Sequence, residues 1–359
     1  MAEASPVLTR ALDFCRAHGL RVPILLAPMA GACPPPLSMA VARAGGLGAC
    51  GALLMRPDAI GAWVSEVRAG CEGGFQINFW VPGPPPARDV AAEDAVRAFL
   101  RRFGPEVARE AGDARPPDFA AQCEAALEAR PSVISSIMGL YPPAFVERMK
   151  ARGIPWFATA TTVTEAVAAE EAGADAIVAQ GMEAGGHRGA FDPAKAEVDL
   201  VGLFSLLPAV VDAVKVPVIA AGGIADARGV AAALILGASA VEIGTGLLRC
   251  PEAKLPRAWA DALGRSLPEH TLVTRAFSGR AGRALANAYV RAAAAPDAPE
   301  PAPYPVQRGL SQAMRDAATA NGDLDRMQAW AGQSAARAPA RPAAEVVRDL
   351  WDGAQSILL

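Results

Sequence analysis

The chain has 359 residues, a length that suits one large domain with an appendage or two small domains, with an extensive core in either case. It is 52% hydrophobic with a formal net charge of −3 and carries no block of like charge, which argues against nucleic acid or an anionic membrane as partner and for a small-molecule protein. The 6 cysteines form no C-x-x-C pair and do not cluster with the 3 histidines, so neither a metal site nor a disulfide framework is expected, and a reducing cytoplasm is the expected compartment.

After a helix-like stretch from Leu8 to His18, the segment from Val22 to Gly31 reads as a buried strand ending in a loop. A short helical pattern from Pro36 to Ala44 leads to a second apolar run, Gly46 to Gly51, and this βαβ rhythm persists. Further strands are predicted at Gly74–Val81, Val133–Met138, Pro155–Ala160, Ala174–Ala179, Val216–Ala221 and Ala240–Gly244. One intervening helix opens with Thr162-Val-Thr-Glu165, the spacing of a capping box. Parallel strands alternating with helices over this length match a (β/α)8 TIM barrel, with a doubly wound open sheet as the other arrangement that periodicity allows.

Past Cys250 the alternation stops, so the barrel is placed at residues 1–250. A helical lid over the barrel mouth is expected at 251–310, and a helical return segment packing on the barrel at 311–359, re-entering near Trp330-Ala-Gly-Gln333. The alanine- and proline-rich stretch from Ala335 to Ala344 reads as a loose connector before a short last helix around Val346–Trp351. No apolar run is long enough to span a bilayer; the longest, Gly229 to Val241, is interrupted by Gly237.

The chemistry gathers at predicted strand ends. The sixth strand runs into Gln180-Gly-Met-Glu-Ala-Gly-Gly-His-Arg188, where Gly185 and Gly186 let a flat ligand approach the backbone and His187 is suited to proton transfer near neutrality. The seventh and eighth strands run into Gly222-Gly223 and Gly244-Thr245-Gly246. Glycine-freed N–H groups after these two strands form the usual phosphate site of a barrel, and the Thr245 hydroxyl adds a donor. Asn78 and Gln180, at the ends of strands three and six, offer amides suited to the edge of a planar heterocycle.

These blocks, together with Pro23–Gly31, Phe75–Asn78 and Trp330–Gln333, resemble the nitronate monooxygenases over most of the chain. The resemblance implies an FMN-dependent barrel that oxidises alkyl nitronates with molecular oxygen, acting as a monomer or homodimer. Carried over by position, it implies that Met29, Asn78, Gln180, Gly185, Gly222, Gly223, Gly244, Thr245 and Gln333 contact FMN, and that His187 is the catalytic residue. Propionate 3-nitronate is the kind of substrate implied, and carbonyl compound and nitrite the products. FMN-dependent enoyl-acyl-carrier-protein and quinone reductases share the Gly-Gly-His block and form the alternative reading. The chain departs from the family at Glu242, where glutamine is usual, which sets a carboxyl near an anionic cofactor. Tyr289 and Tyr304 are the aromatic candidates for a substrate pocket in the appendage.

Overall fold

The computed structural model describes residues 5–359. Short, mainly apolar runs of three to six residues become the strands β1 (Ile24–Leu26), β2 (Gly48–Gly51), β3 (Phe75–Trp80), β4 (Val133–Ile137), β5 (Trp156–Ala160) and β6 (Ala176–Gln180). A two-residue strand, β7 (Gly186–His187), precedes β8 (Val218–Ala221) and β9 (Ala240–Ile243). Eight of these nine run parallel in the order β1-β9-β8-β6-β5-β4-β3-β2. The ring closes between its first and last members by a bridge from Leu25 to Leu47, where Leu26 N–H donates to the Leu47 carbonyl at 2.9 Å. This is the (β/α)8 barrel expected from the alternation, and the ring closure rules out an open sheet.

The barrel interior is filled by Leu25, Leu47, Val133, Phe157, Val178 and Ile219, with Phe14 of the helix Pro6–His18 packed against them at the N-terminal end. Outward-facing alternate residues pack on the surrounding helices to form the main core. One half of the predicted capping box forms, with Thr162 Oγ1 accepting from Glu165 N–H at 3.2 Å, while the Glu165 carboxylate reaches one residue further back, to Thr161. Glu165 itself accepts from Thr161 N–H and Phe191 N–H, both at 2.7 Å, and so also pins the loop beyond His187.

The chain beyond Cys250 differs from its helical expectation. It contributes β10 (Thr271–Thr274) and β11 (Gly282–Leu285), which are antiparallel, and β11 pairs in turn with β7. Gly186 and His187 are therefore an edge of a three-stranded sheet in the appendage rather than a free loop. The appendage core of Phe277, Tyr289, Leu310 and Met314 also takes Val96, Phe99, Leu100 and Val107 from the long connection between β3 and β4.

The stretch around 335–344 is packed, not loose: Ala335, Ala338 and Ala343 are buried, and Arg249 donates to the Ala338 carbonyl at 2.8 Å. The last helix spans Ala343–Leu358 and lies against the helix Ala227–Ile235, where a Cβ on Gly353 would come within 2.7 Å of Ala227. Small residues permit that approach, so low complexity here reflects close packing. No helix among the described residues is long and apolar enough to cross a membrane.

Candidate functional site

The loops after the strands meet at one end of the barrel, and the appendage covers them. Between the two lies a cavity of about 370 Å³. Its barrel side is lined by Met29, Asn78, Gln180, Gly185, Gly222, Gly223, Glu242, Gly244 and Thr245, and its appendage side by Trp259, Arg308, Arg315, Gln328 and Trp330. His187 and Trp80 stand where the two halves meet.

At one end the backbone is shaped to receive a ligand. Gly222 and Gly223 have φ of +108° and +70°, conformations that side chains strain against. A Cβ on Gly222 would come within 3.1 Å of Ala184 N. The N–H groups of Gly222, Gly223 and Thr245 meet no acceptor among the described residues, so the two neighbouring loops present free donors. Thr245 Oγ1 accepts from Gly332 N–H at 3.0 Å and keeps its own proton to donate. Gly185 is needed for close approach: a Cβ there would lie 2.5 Å from Gly332 N, where the returning chain crosses. This concave, donor-rich cradle fits a phosphate, and its continuity with the cavity between the indoles fits a phosphorylated flat cofactor such as FMN.

Gln180 and Asn78 line the cavity but are largely occupied by the protein. Gln180 Nε2 donates to the His187 carbonyl at 3.1 Å, and its Oε1 accepts from Gly189 N–H at 2.9 Å and from Arg188 Nη1 at 3.2 Å. Asn78 Nδ2 donates to Ser135 Oγ at 3.0 Å. Gln180 thus sets the path of the Gly-Gly-His strand. The Gln333 side chain does not line the cavity; its N–H donates to the Glu183 carbonyl, and the neighbouring Ser334 borders the cavity instead, donating to the Gly223 carbonyl at 2.6 Å.

His187 lies edge-on to Trp80 and Trp330, with ring centroids 4.5 and 4.7 Å away, and its Nε2 is 2.7 Å from Ser278 Oγ. Desolvation among these groups, then the charges of Arg280, Arg308 and Arg315, push its pKa down to about 3. The imidazole is neutral at physiological pH, so it does not hold an anion as a cation would. Ser278 was not legible as a site residue, since a serine beyond the barrel carries no motif. Arg308 and Arg315 were missed as well; they lie on two successive helices, Val306–Leu310 and Gln312–Ala320, whose joint orientation the sequence pattern does not give.

Arg315 is held by Gln328, Gln312, Ser311 and the Arg308 carbonyl. Among the described residues the Arg308 guanidinium makes no ion pair or side-chain hydrogen bond; burial lowers its pKa, partly offset by Tyr304 and Asp316. It is the cationic group at the cavity best placed to take an acceptor from a ligand. Arg188, next to His187, is instead buried and donates to the Gly181 carbonyl at 2.8 Å. Tyr289 is in the appendage core with its hydroxyl on the Ala276 carbonyl, away from the cavity. Tyr304 backs the site indirectly, its ring 5.2 Å from Trp80.

Glu242 reaches into the floor of the cavity. Its Oε2 accepts from Gln76 Nε2 at 3.0 Å across the barrel, and burial raises its pKa to about 7. The carboxyl is therefore not the fixed negative charge that the sequence suggested.

The family model for nitronate monooxygenase matches residues 15–353. A nitronate monooxygenase of Paraburkholderia phytofirmans is 40% identical over 338 residues, covering 92% of each chain. Among solved structures, a nitroalkane oxidase from Streptomyces ansochromogenes is 34% identical with a TM-score of 0.86 and covers 96% of this chain and 98% of its own. FabK from Thermotoga maritima is 27% identical with a TM-score of 0.75, covering 96% of each.

Proposed function

The chain belongs to the nitronate monooxygenase family, an enzyme family of oxidoreductases that act on nitronates, and from that premise we propose that it uses FMN and molecular oxygen to convert alkyl nitronates, propionate 3-nitronate among them, to carbonyl compound and nitrite. The observation that carries this reading is a single cavity with two unlike ends. One end is a glycine cradle of free N–H donors, and the other is a wall of Trp80, His187, Trp330 and Arg308. In this reading the Gly222-Gly223 and Gly244-Thr245 loops hold the FMN phosphate, and Met29, Asn78, Gln180 and Gly185 border its ring. Gln333 supports the cradle through its backbone. Bound FMN supplies the electron acceptor for the substrate and the partner for oxygen.

The protein's own part is to bind and orient an anion beside that ring. Arg308 supplies the counter-charge for the nitronate, in a desolvated pocket where such an interaction is stronger than in water. His187 is held in place by Ser278 and by the Gln180 contact to its backbone, and it acts in the neutral form. A nitronate has already lost its proton and asks no base of the site. A neutral nitroalkane needs His187 to take a proton, which its low pKa, set first by burial and then by the three arginines, opposes. Preformed nitronates are accordingly the better substrates. The protein acts in the cytoplasm, alone or as a homodimer.

The test is a purified protein with a yellow flavin spectrum that releases nitrite and consumes oxygen when given propionate 3-nitronate. A protein that stays colourless after incubation with FMN refutes the cofactor assignment. One that is yellow yet releases no nitrite refutes the substrate.

A further inference from the structure

Glu242 does something that neither the phosphate cradle nor the substrate wall explains. Among the described residues it is the one acidic side chain that borders the cavity, and it rises from the barrel floor on β9, on the barrel side where the cofactor is placed above. One of its oxygens is tied down: Oε2 accepts from Gln76 Nε2, whose other hydrogen goes to the Leu26 carbonyl at 3.1 Å. With both hydrogens of that amide used, Gln76 cannot satisfy the second carboxyl oxygen as a donor. Oε1 has no hydrogen-bond partner among the described residues, and the side chain borders the cavity.

We propose that Glu242 is a cofactor-binding residue of this chain that works in its acid form, donating a hydrogen bond from Oε1 to an oxygen or nitrogen of the FMN seated above it, so that loss of this proton weakens cofactor binding. The inference rests on the FMN reading given above. The surroundings favour the acid form. Opposite Glu242, β1 brings Leu25 and β8 brings Ala221, and across the barrel β3 brings the uncharged Gln76 and Asn78. The other ionisable side chains bordering the cavity are His187, Arg308 and Arg315, which come from β7 and the appendage; none of them enters the balance at the carboxyl. Burial alone, partly offset by the Gln76 bond, sets the pKa at about 7. Binding that requires this proton loses up to tenfold in affinity for each pH unit above it, because the proton must first be restored.

The experiment measures the FMN dissociation constant of cofactor-depleted protein between pH 5.5 and 8.5, by quenching of flavin fluorescence, for the parent and Glu242→Gln. The phosphate of FMN titrates in this range for both proteins, so the ratio of the two constants is the quantity read. The glutamine variant keeps a donor at all pH values. The expected ratio of parent to variant is near one at pH 5.5 and rises at least tenfold by pH 8.5. Calorimetric titration at pH 8 in buffers of different ionisation enthalpy is expected to show uptake of close to one proton by the parent and fewer by the variant. A ratio that stays flat while both proteins bind FMN tightly overturns the role of Glu242 and leaves the cofactor reading intact. Failure of the parent to bind FMN at any pH overturns both. If Glu242→Gln does not fold, the proton uptake of the parent alone decides: none at pH 8 refutes the proposal.

Discussion

Replacing Glu242 by glutamine has a consequence for stability that is separate from any ligand. In the folded chain this carboxyl holds its proton up to about pH 7, whereas the unfolded chain releases it near 4.5. Between those values the folded state binds more protons than the unfolded one, so stability falls as pH rises from about 4.5 to about 7 and levels off above. At about 1.36 kcal/mol per pH unit the full loss is about 3 kcal/mol. Most of it, about 2–3 kcal/mol, falls between pH 5 and pH 8. Glutamine does not titrate, so its own contribution is the same at every pH in this range. Urea denaturation of cofactor-free protein, followed by circular dichroism, is expected to give the variant a stability advantage about 2–3 kcal/mol larger at pH 8 than at pH 5. A difference independent of pH, or a variant weaker than the parent at pH 8, would refute the buried-acid assignment.

Other expected outcomes probe the rest of the site. Gly185→Ala drives a Cβ into Gly332 N at 2.5 Å and should destabilise the protein by about 1–3 kcal/mol in denaturation while lowering its FMN content, which absorbance after gel filtration reads directly. Arg308→Met should raise KM for an anionic nitronate at least tenfold with little change in kcat, and steady-state oxygen uptake measures both. His187→Asn should depress turnover of a neutral nitroalkane by about 10²–10⁴-fold and that of preformed nitronate much less, with FMN content unchanged. Equal losses on both substrates would exclude a general-base role.

The barrel was legible because each strand is a short, mainly apolar run, buried along most of its length, with turn residues between runs, a pattern that depends on little beyond nearest neighbours. The glycine pairs after the last two barrel strands were legible for a related reason: close backbone approach leaves few residue choices. The appendage was harder to read. Gly186 and His187 carry no β pattern of their own, and they become a strand only because Gly282 and Arg283, almost a hundred residues later, offer them an edge. The contribution of Val96–Val107 to the appendage core was hidden for the same reason, since a helical stripe does not say which partner it faces. Sequence placed His187 in the site but not its protonation, which is set by Trp80, Trp330, Ser278 and three arginines brought together by tertiary structure. The Trp330–Gln333 block returns the chain to the cradle, and which of its side chains borders the cavity is set by the crossing of Gly332 over Gly185, which leaves Ser334 there.

In the proposed function this cavity passes electrons from a nitronate to a bound flavin. The most direct measurement mixes the oxidised holoenzyme anaerobically with propionate 3-nitronate and, separately, with NADH, following the visible flavin band in a stopped-flow instrument. Rapid loss of absorbance with the nitronate and no comparable change with NADH is the expected result. Fast bleaching by NADH with no response to the nitronate would contradict it and assign the chain to the reductase chemistry of the same fold.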